Sequence, residues 1–473
     1  MASEKPTSIS IRRLAVCLAI GAAAWVVPAP EGLTAAGWHV LGVFAATIAS
    51  FVIRPLPMGA MVLLGLIALS VTGTLPYKSM LEAFGNITVW LVVAAFLLAG
   101  AVGRTGFGRR IALGFMAFLG RSTLGLGYSV CASEVVLGPI VPSNTARGGG
   151  IIAPIIRSLC VELNSHPSEQ PERAGRYLTL VGAHANLVTA AMFLTGMAAN
   201  PLLKAAAEDV FQIDFGFCTW AIGALVPGLV SLGLLPLLMY KLSPPTLKDS
   251  RAAQEKARSD LKAMGRWTRG QIVMAAVFVL LLVLWSTKPI HGMGTGLVAW
   301  LGVCILLVSG TEGWQDVTGN ARAWDTLFWL GGLLAMAGAL KSEGVVGWFA
   351  QAMQDQVAGL GSITLVLILA LIYFYSMYGF SMLTAHISAL ATAFFAIAAS
   401  AGAPPMLTIA LLAYFSNLCA CTTNYSTGPV IIYFGLGYVP SQSWFKVGAL
   451  VSLFHLAVWL GVGMAWWKIL GWW

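Results

Sequence analysis

Charged residues are scarce in this 473-residue chain, where Asp, Glu, Lys and Arg together make up 10%. A soluble globular domain carries about 25% charged residues, so this chain has too few charges to cover a water-facing surface. Hydrophobic residues make up 58% and the mean hydropathy is +0.83. Apolar runs long enough to cross about 30 Å of hydrocarbon recur throughout. The composition excludes an ordinary soluble enzyme, a disordered scaffold and a nucleic-acid binder, and it indicates a polytopic membrane protein.

Catalytic and metal-binding motifs are also missing. The sequence has no Walker, dinucleotide-binding or zinc-protease motif and no recognisable acid–base pair. The seven cysteines lie within apolar stretches, and an odd number there implies no disulfide framework. Cys419 and Cys421 form a C-x-C without a companion pair, so we expect neither a metal nor a cofactor. An ion channel is the rival membrane class, but the sequence supplies no charged ring or carbonyl filter.

The distribution of Lys and Arg orients the chain. With the N-terminus inside, 21 of the 27 fall in inner segments and five in outer ones. Inner loops of membrane proteins carry this excess of positive charge, so we predict a cytoplasmic N-terminus and a basic cytoplasmic loop. Arg12-Arg13 followed by the apolar stretch 14–27 indicates a first membrane helix, with a secretory or twin-arginine signal as the alternative.

Apolar segments bounded by charges, glycine or proline predict about eleven transmembrane helices plus two re-entrant hairpins. The predicted spans are 14–30, 35–53, 57–74, 85–103, 178–202, 216–240, 271–287, 292–309, 323–340, 405–435 and 444–468. The predicted organisation is an N-terminal extra helix (1–34), a first repeat (35–240) with hairpin 122–160, the basic loop (241–270), and a second repeat (271–473) with hairpin 361–400.

The second half of the chain repeats the element order of the first. A shift of 238 residues aligns 88–106 with 326–344 and gives five identities over 19 positions. In each half a span and an interfacial stretch precede two short arms and an interrupted span. An odd number of crossings per half inverts one half relative to the other, which is typical of secondary transporters. We therefore expect an all-α fold with a two-fold pseudo-axis in the membrane plane.

Four polar breaks interrupt apolar segments at membrane depth, where irregular backbone is tolerated only beside a protein cavity. They lie at 142–150, 195–201, 384–388 and 422–429, the first and third at hairpin tips. Free N–H groups at helix ends favour anions, so two facing breaks would hold a small dianion by its two ends. The candidate substrate-binding residues are Ser143, Asn144, Thr145, Thr195, Asn200, Thr384, His386, Ser388, Thr423, Asn424, Ser426 and Thr427.

Ser143-Asn144-Thr145 between two apolar arms, with Gly428-Pro429 after the last break, resembles the divalent anion/sodium symporter (DASS) family. The longer string 142–155 is similar to its exchanger branch, which holds bacterial citrate/succinate and tartrate/succinate antiporters and the chloroplast 2-oxoglutarate/malate translocator. The resemblance implies a di- or tricarboxylate transporter of the bacterial inner membrane and a homodimer. It also implies that Ser143-Asn144-Thr145 contacts a substrate carboxylate beside a sodium site.

Three stretches depart from the sodium-coupled members of that family. Residues 384–386 read Thr-Ala-His where those members repeat Ser-Asn-Thr, residues 427–429 read Thr-Gly-Pro instead of Thr-Pro-Pro, and residues 197–200 read Met-Ala-Ala-Asn instead of Thr-Pro-Pro-Asn. These changes weaken the case for both sodium sites. We therefore predict sodium-independent antiport, with Arg147 and His386 compensating substrate charge in place of sodium. Sodium-coupled symport of a dicarboxylate or another divalent anion is the alternative.

Several candidates also have structural interpretations. Arg147 could reach the cytoplasmic edge or pair with Glu134 on the neighbouring arm, although a charge in a membrane hairpin is a functional candidate. His386 could be a hydrogen-bonded packing residue. Thr195 and Asn200 could satisfy a frayed helix end.

We expect the polar breaks and Gly148-Gly149-Gly150 to sit together in the folded protein. We therefore expect the two hairpins and the two broken spans to move together as one body. The first four spans and the seventh to ninth would form a scaffold past which that body slides, which is an elevator-type mechanism.

Overall fold

The computed structural model describes residues 10–357, 359 and 361–473. Within this part of the chain the regular structure is helical, and the only β-structure is one isolated bridge between Ser122 and Asp249. Apolar segments become helices because a helix satisfies its peptide groups internally, which lipid cannot do. The predicted all-α fold is confirmed.

The helices before the basic loop are α1 (Ile11–Val26), α2 (Ala35–Ile53), α3 (Met58–Val71), α4 (Tyr77–Phe84), α5 (Ile87–Thr105), α6 (Phe107–Leu119), α7 (Thr123–Leu137), α8 (Ala153–Glu162), α9 (Gly175–Met192), α10 (Asn200–Phe211) and α11 (Phe217–Leu242). The basic loop contains α12 (Arg251–Ala263). The helices after it are α13 (Arg269–Ser286), α14 (Lys288–His291), α15 (Thr295–Val308), α16 (Trp314–Thr318), α17 (Ala321–Ser342), α18 (Val345–Val357), α19 (Ser362–Tyr375), α20 (Leu383–Ser400), α21 (Pro405–Leu418), α22 (Gly428–Gly435), α23 (Ser441–Ala457) and α24 (Met464–Ile469).

Nine helical segments of the described chain are long and apolar enough to cross a membrane. Seven of them coincide with predicted spans, and the other two, α20 and Ser362–Gly379, are the arms of the second predicted hairpin. The predicted spans 57–74 and 292–309 form shorter apolar helices, α3 and α15, of 14 residues each. The chain is therefore a multi-pass membrane protein, and the number of about eleven crossings stays a prediction.

Non-α segments occur close to all four predicted breaks. A π-helical segment (Thr145–Ile152) leads into α8, and 3₁₀ turns follow α9 (Leu194–Gly196), α19 (Ser376–Gly379) and α21 (Cys419–Thr422). We call the segment from α7 to α8 hairpin 1 and the segment from α19 to α20 hairpin 2. The two broken spans are α9 with α10 and α21 with α22.

The break in hairpin 2 lies earlier than the sequence predicts. The predicted break at 384–388 is helical, because α20 already begins at Leu383, after an extended Met382 with φ −153° and ψ 134°. The non-helical link is 380–382. Apolar residues of α20 pack against α10 and extend the helix toward the tip. Thr384, His386 and Ser388 therefore lie in the first two turns of α20.

The helices pack in two groups. In one group α5 packs against α15 and α17, and α17 also packs against α3. Helix α2 packs against α3, and α1 packs against α2. The approach of α17 to α3 requires Gly332, where a Cβ would come within 2.3 Å of Val62 Cγ1. In the other group α9 and α21 lie together, with α7 packed on α9 and α19 on α21. Nearly every residue of α9 and α21 is buried, so this second group has the broken segments at its centre.

The two halves of the chain make reciprocal contacts within the second group. The second arm of the first broken span, α10, packs against α20 of hairpin 2. The second arm of the other broken span, α22, packs against Thr145–Ile152 of hairpin 1. An internal repeat predicts this exchange of partners, and the repeat boundaries and their inversion stay predictions.

Candidate functional site

Hairpin 1 and the second broken span meet at their polar breaks. The Asn144 amide Nδ2 donates a long hydrogen bond of 3.4 Å to the Thr427 hydroxyl. Gly428 has no side chain, and a Cβ there would come within 2.3 Å of Thr145 Oγ1. Ser143 Oγ accepts from the Ala146 N–H at 3.1 Å and so caps the turn after the tip. The structure therefore brings together Ser143, Asn144, Thr145 and Thr427, as the sequence predicts.

The first broken span contributes residues that hold the backbone. Thr195 Oγ1 donates to the Pro139 carbonyl of hairpin 1 at 2.7 Å. Asn200 Nδ2 donates to the Ala190 and Phe193 carbonyls, and its Oδ1 accepts from Asn417 of α21 at 2.8 Å. These bonds use most of the hydrogen-bonding groups of the Thr195 and Asn200 side chains. Thr195 and Asn200 thus join the breaks to one another rather than project donors toward a ligand.

The polar residues of the second broken span differ in whether the protein itself satisfies their side chains. The Ser426 hydroxyl donates to the Ala420 carbonyl at 2.7 Å. Asn424 Nδ2 donates to Ser441 Oγ of α23 at 3.3 Å, which turns it away from hairpin 1. Thr423 is buried, and its hydroxyl has no hydrogen-bond partner in the described chain.

Hairpin 2 is tied to the same break from the other side. The Tyr425 hydroxyl donates to the Tyr378 carbonyl at the hairpin tip, at 3.0 Å. Thr384, six residues after Tyr378 and in the first turn of α20, is partly exposed. Ser388 lines a cavity of about 300 Å³ together with Leu202 of α10 and Leu333 of α17. Of the three candidates on α20, Thr384 lies nearest to the hairpin tip along the chain.

His386 is fully buried and holds hairpin 2 together. Its Nε2 lies 3.0 Å from the Tyr373 carbonyl and 2.8 Å from the Ser376 hydroxyl. The carbonyl can only accept, so Nε2 carries a hydrogen. Nδ1 is buried without a partner in the described chain, and a proton there would lack an acceptor. This geometry favours a neutral imidazole ring. It therefore favours a packing role for His386 over charge compensation.

Arg147 lies at the centre of a buried ionic network in hairpin 1. Its Nε donates to Glu134 Oε2 at 2.6 Å, and both side chains are 0% exposed. Its Nη1 donates to the carbonyls of Val141 and Gly196, at 2.8 and 3.0 Å. The structure thus shows the pairing with Glu134 that the sequence analysis considers for Arg147, and compensation of substrate charge by Arg147 stays a prediction.

The profile of the family described as "Sodium:sulfate symporter transmembrane region" matches residues 8–473. The chain belongs to this family. The match confirms the resemblance to the DASS family, and it identifies the chain as a transporter and not an enzyme.

Two relatives and one solved structure show how similar this DASS protein is to known proteins. It is 43% identical to "Putative malate transporter YflS" of Bacillus subtilis, with 100% of both chains covered. It is 41% identical to "Dicarboxylate transporter 1, chloroplastic" of Arabidopsis thaliana, covering 98% of this chain and 84% of that one. The crystal structure of the Alcanivorax borkumensis YdaH transporter aligns with a TM-score of 0.55 at 14% identity, covering 83% of this chain and 88% of that one. At this identity the structural likeness concerns the fold alone.

Sequence reasoning about this DASS protein missed two partners of the ionic network on α9. Asn186 Nδ2 donates to both oxygens of Glu134, at 3.1 and 3.2 Å, and also to the Asn144 carbonyl at the hairpin tip. The Thr189 hydroxyl lies 3.0 Å from Glu134 Oε2. Asn186 and Thr189 are polar residues three apart within a buried apolar helix, and this spacing is the signal that could have found them.

The network predicts non-additive effects of mutation. Arg147→Met alone leaves Glu134 buried and unpaired, which should cost about 3–5 kcal/mol and lower both expression and the melting temperature in detergent. Arg147→Met combined with Glu134→Gln removes both charges and should be more stable than either single variant. If the double variant instead loses the sum of the two single losses, Arg147 and Glu134 do not act as a pair.

Proposed function

We propose that this DASS protein is a secondary active transporter that exchanges di- or tricarboxylates of the succinate, malate, 2-oxoglutarate, tartrate or citrate class without sodium. The single observation that carries the proposal is the junction of Asn144 with Thr427, where the breaks of two different segments present an amide and a hydroxyl to each other. The names of the two relatives support a dicarboxylate as the substrate class.

The chemistry of this junction suits an anion. Asn144 keeps an amide hydrogen and Thr427 keeps its hydroxyl hydrogen, neither of which has a protein acceptor in the described chain. The nearest carboxylate in the network, that of Glu134, is neutralised by Arg147, so it does not repel a substrate carboxylate. We also propose that Thr384, a partly exposed residue in the first turn of α20, binds the second carboxylate through its hydroxyl.

Sodium independence is supported by what occupies the backbone carbonyls at the breaks. Transporters of broken-helix type hold sodium with such unwound carbonyls. Here Arg147 takes the carbonyls of Val141 and Gly196, and His386 takes that of Tyr373. We propose that these side chains occupy backbone carbonyls that would otherwise be available to sodium, although Glu134 cancels the charge of Arg147.

Exchange follows from the charge of the substrate. Moving two uncompensated negative charges against 100 mV costs about 4.6 kcal/mol, and a carrier without a co-transported cation would bear that cost in net uptake. One-for-one exchange of dianions moves no net charge. Sodium-coupled symport is the second candidate, and the observation that favours it is the description of the family as sodium:sulfate symporters.

We further propose an elevator motion, with the helices around the broken segments as the moving body. The group containing α3, α5, α15 and α17 would be the scaffold, and the group built on α9 and α21 would slide past it. One charged contact between the two groups is the ion pair of Lys341 on α17 with Asp209 on α10, at 3.2 Å. The homodimer, the inner-membrane location and the cytoplasmic N-terminus stay predictions.

The first test removes donors at the junction. We expect the half-saturating concentration of malate or succinate to rise about 10- to 100-fold in each of the variants Asn144→Ala, Thr427→Ala and Thr384→Ala. Each substitution removes a hydrogen bond to a charged group. Labelled-substrate counterflow in proteoliposomes measures this. The matched control is Thr408→Ala, which removes a hydroxyl bonded to the Pro404 carbonyl at the far end of α21. Normal transport by all three variants would place the site elsewhere.

The second test concerns the coupling ion. Liposomes preloaded with succinate, malate or citrate should take up external labelled acid equally fast in sodium and in choline medium. Empty liposomes should take up little in either medium, because net uptake transfers charge. Sodium-dependent uptake into empty liposomes would overturn the antiport proposal and establish the symporter.

The third test restrains the proposed motion. Cysteines at Lys341 and Asp209, joined by a short bifunctional thiol reagent in a background where the exposed Cys304 is serine, should stop exchange. The control joins Lys204 and Glu208, an ion pair within α10, and should leave exchange intact. Full activity of a quantitatively cross-linked Lys341–Asp209 pair contradicts the elevator.

A further inference from the structure

A cavity of about 410 Å³ lies where α2 ends and α3 begins, beside the tip of hairpin 2. Arg13 of α1 and Arg54 at the end of α2 line it, together with Met58 of α3. The one lining residue from outside this helical group is Met382, which immediately precedes α20. The cavity therefore joins the proposed scaffold to the moving hairpin.

Several cations near helix ends in the described chain are paired with carboxylates, whereas the two arginines in this cavity are not. Arg104 is paired with Glu312, Arg109 with Asp260 and Arg251 with Asp249. Neither Arg13 nor Arg54 has a carboxylate within ion-pair distance in the described residues, and both are exposed. The cavity thus combines two uncompensated positive charges in one place.

The backbone of Arg54 is itself unusual. It ends α2 in the left-handed conformation, with φ 52° and ψ 56°, and it donates its N–H to the Ser50 carbonyl. Glycine is the residue that adopts this conformation readily at a helix end. Ending the helix therefore does not require an arginine, and at this position the Arg54 side chain lines the cavity.

The position relative to the proposed substrate site is what gives these charges a function. Met382 lies two residues before Thr384, whose hydroxyl is a proposed carboxylate ligand. A dicarboxylate entering or leaving between hairpin 2 and the scaffold would pass the two arginines. The N-terminal face, on which they lie, is the one that the distribution of Lys and Arg assigns to the cytoplasm.

We propose that Arg13 and Arg54 form a docking site for the substrate anion at the cytoplasmic mouth of the transport pathway. One carboxylate of a di- or tricarboxylate binds there before the molecule reaches the hairpin tips. This inference rests on the proposed carboxylate transport. Guanidinium groups would also attract the phosphate of an anionic lipid, and the experiment separates these two sources of anion.

The experiment uses the full-length protein in phosphatidylcholine vesicles, oriented by immobilising an N-terminal tag during reconstitution. Malate exchange is measured as a function of malate concentration on each face. Arg13→Gln and Arg54→Gln should each raise the half-saturating concentration on the N-terminal face roughly two- to five-fold, the range for an exposed ion pair. The maximal rate and the opposite face should change little. Arg54→Lys should retain most of the wild-type affinity.

Two controls sharpen the result. Arg12→Gln removes the same charge one residue away, outside the cavity lining, and should have no effect. At 1 M monovalent salt, where the Debye length falls to about 3 Å, the difference between wild type and the Arg13→Gln/Arg54→Gln variant should vanish.

Several results would overturn the docking site. They are unchanged half-saturation in the double variant, an equal effect of Arg12→Gln, or an effect seen only when anionic lipid is added to the vesicles. A wild-type protein that exchanges no dicarboxylate at all would instead refute the proposed function, and the docking site would fall with it.

Discussion

A peptide group exposed by a helix break at membrane depth must find a partner inside the protein, because lipid offers none. In this protein the most demanding break is that of hairpin 1. The Arg147 guanidinium satisfies the carbonyls of Val141 and Gly196 there, and Glu134 neutralises the guanidinium. Since Gly196 belongs to the first broken span, one side chain holds two breaks together. The rest of the site is arranged around this contact.

The requirement to satisfy backbone groups divides the polar residues of the breaks into two sets. Thr195, Asn200 and Ser426 donate to backbone carbonyls and fix the geometry. Asn144 and Thr427 meet only each other, so they retain donors for a ligand. A dianion held by such uncharged donors can leave again, whereas a fixed pair of unpaired cations in the same place would bind it too tightly for rapid release. The proposed transport therefore depends on Arg147 being neutralised.

The sequence predicts the class of fold well because its strongest signals are local. Long apolar runs with few charges specify membrane helices, and polar clusters inside those runs mark the breaks near 142–150, 195–201 and 422–429. The break of hairpin 2 was misplaced because apolar packing of α20 on α10 determines where that helix begins. A window of sequence around Thr384 contains no information about that contact.

The roles of single residues were harder to predict for the same reason. Pairing with Glu134 was one of two structural alternatives open to Arg147, and only the folded hairpin brings Nε of Arg147 to 2.6 Å from Oε2 of Glu134. Asn186 and Thr189 lie on a helix about 40 residues after the tip of hairpin 1 and look like minor interruptions of an apolar run. His386 matches a signature position, yet its contacts with Tyr373 and Ser376 make it part of the frame.

The most direct measurement is an experimental structure of the protein with malate, at a concentration that saturates exchange. We expect density for the acid with one carboxylate at Asn144 and Thr427 and the other toward Thr384, and with the Glu134–Arg147 pair intact. Density for malate bound directly to the Arg147 guanidinium, with Glu134 displaced, would contradict it. So would malate in the cavity lined by Leu202 and Leu333 with the junction empty.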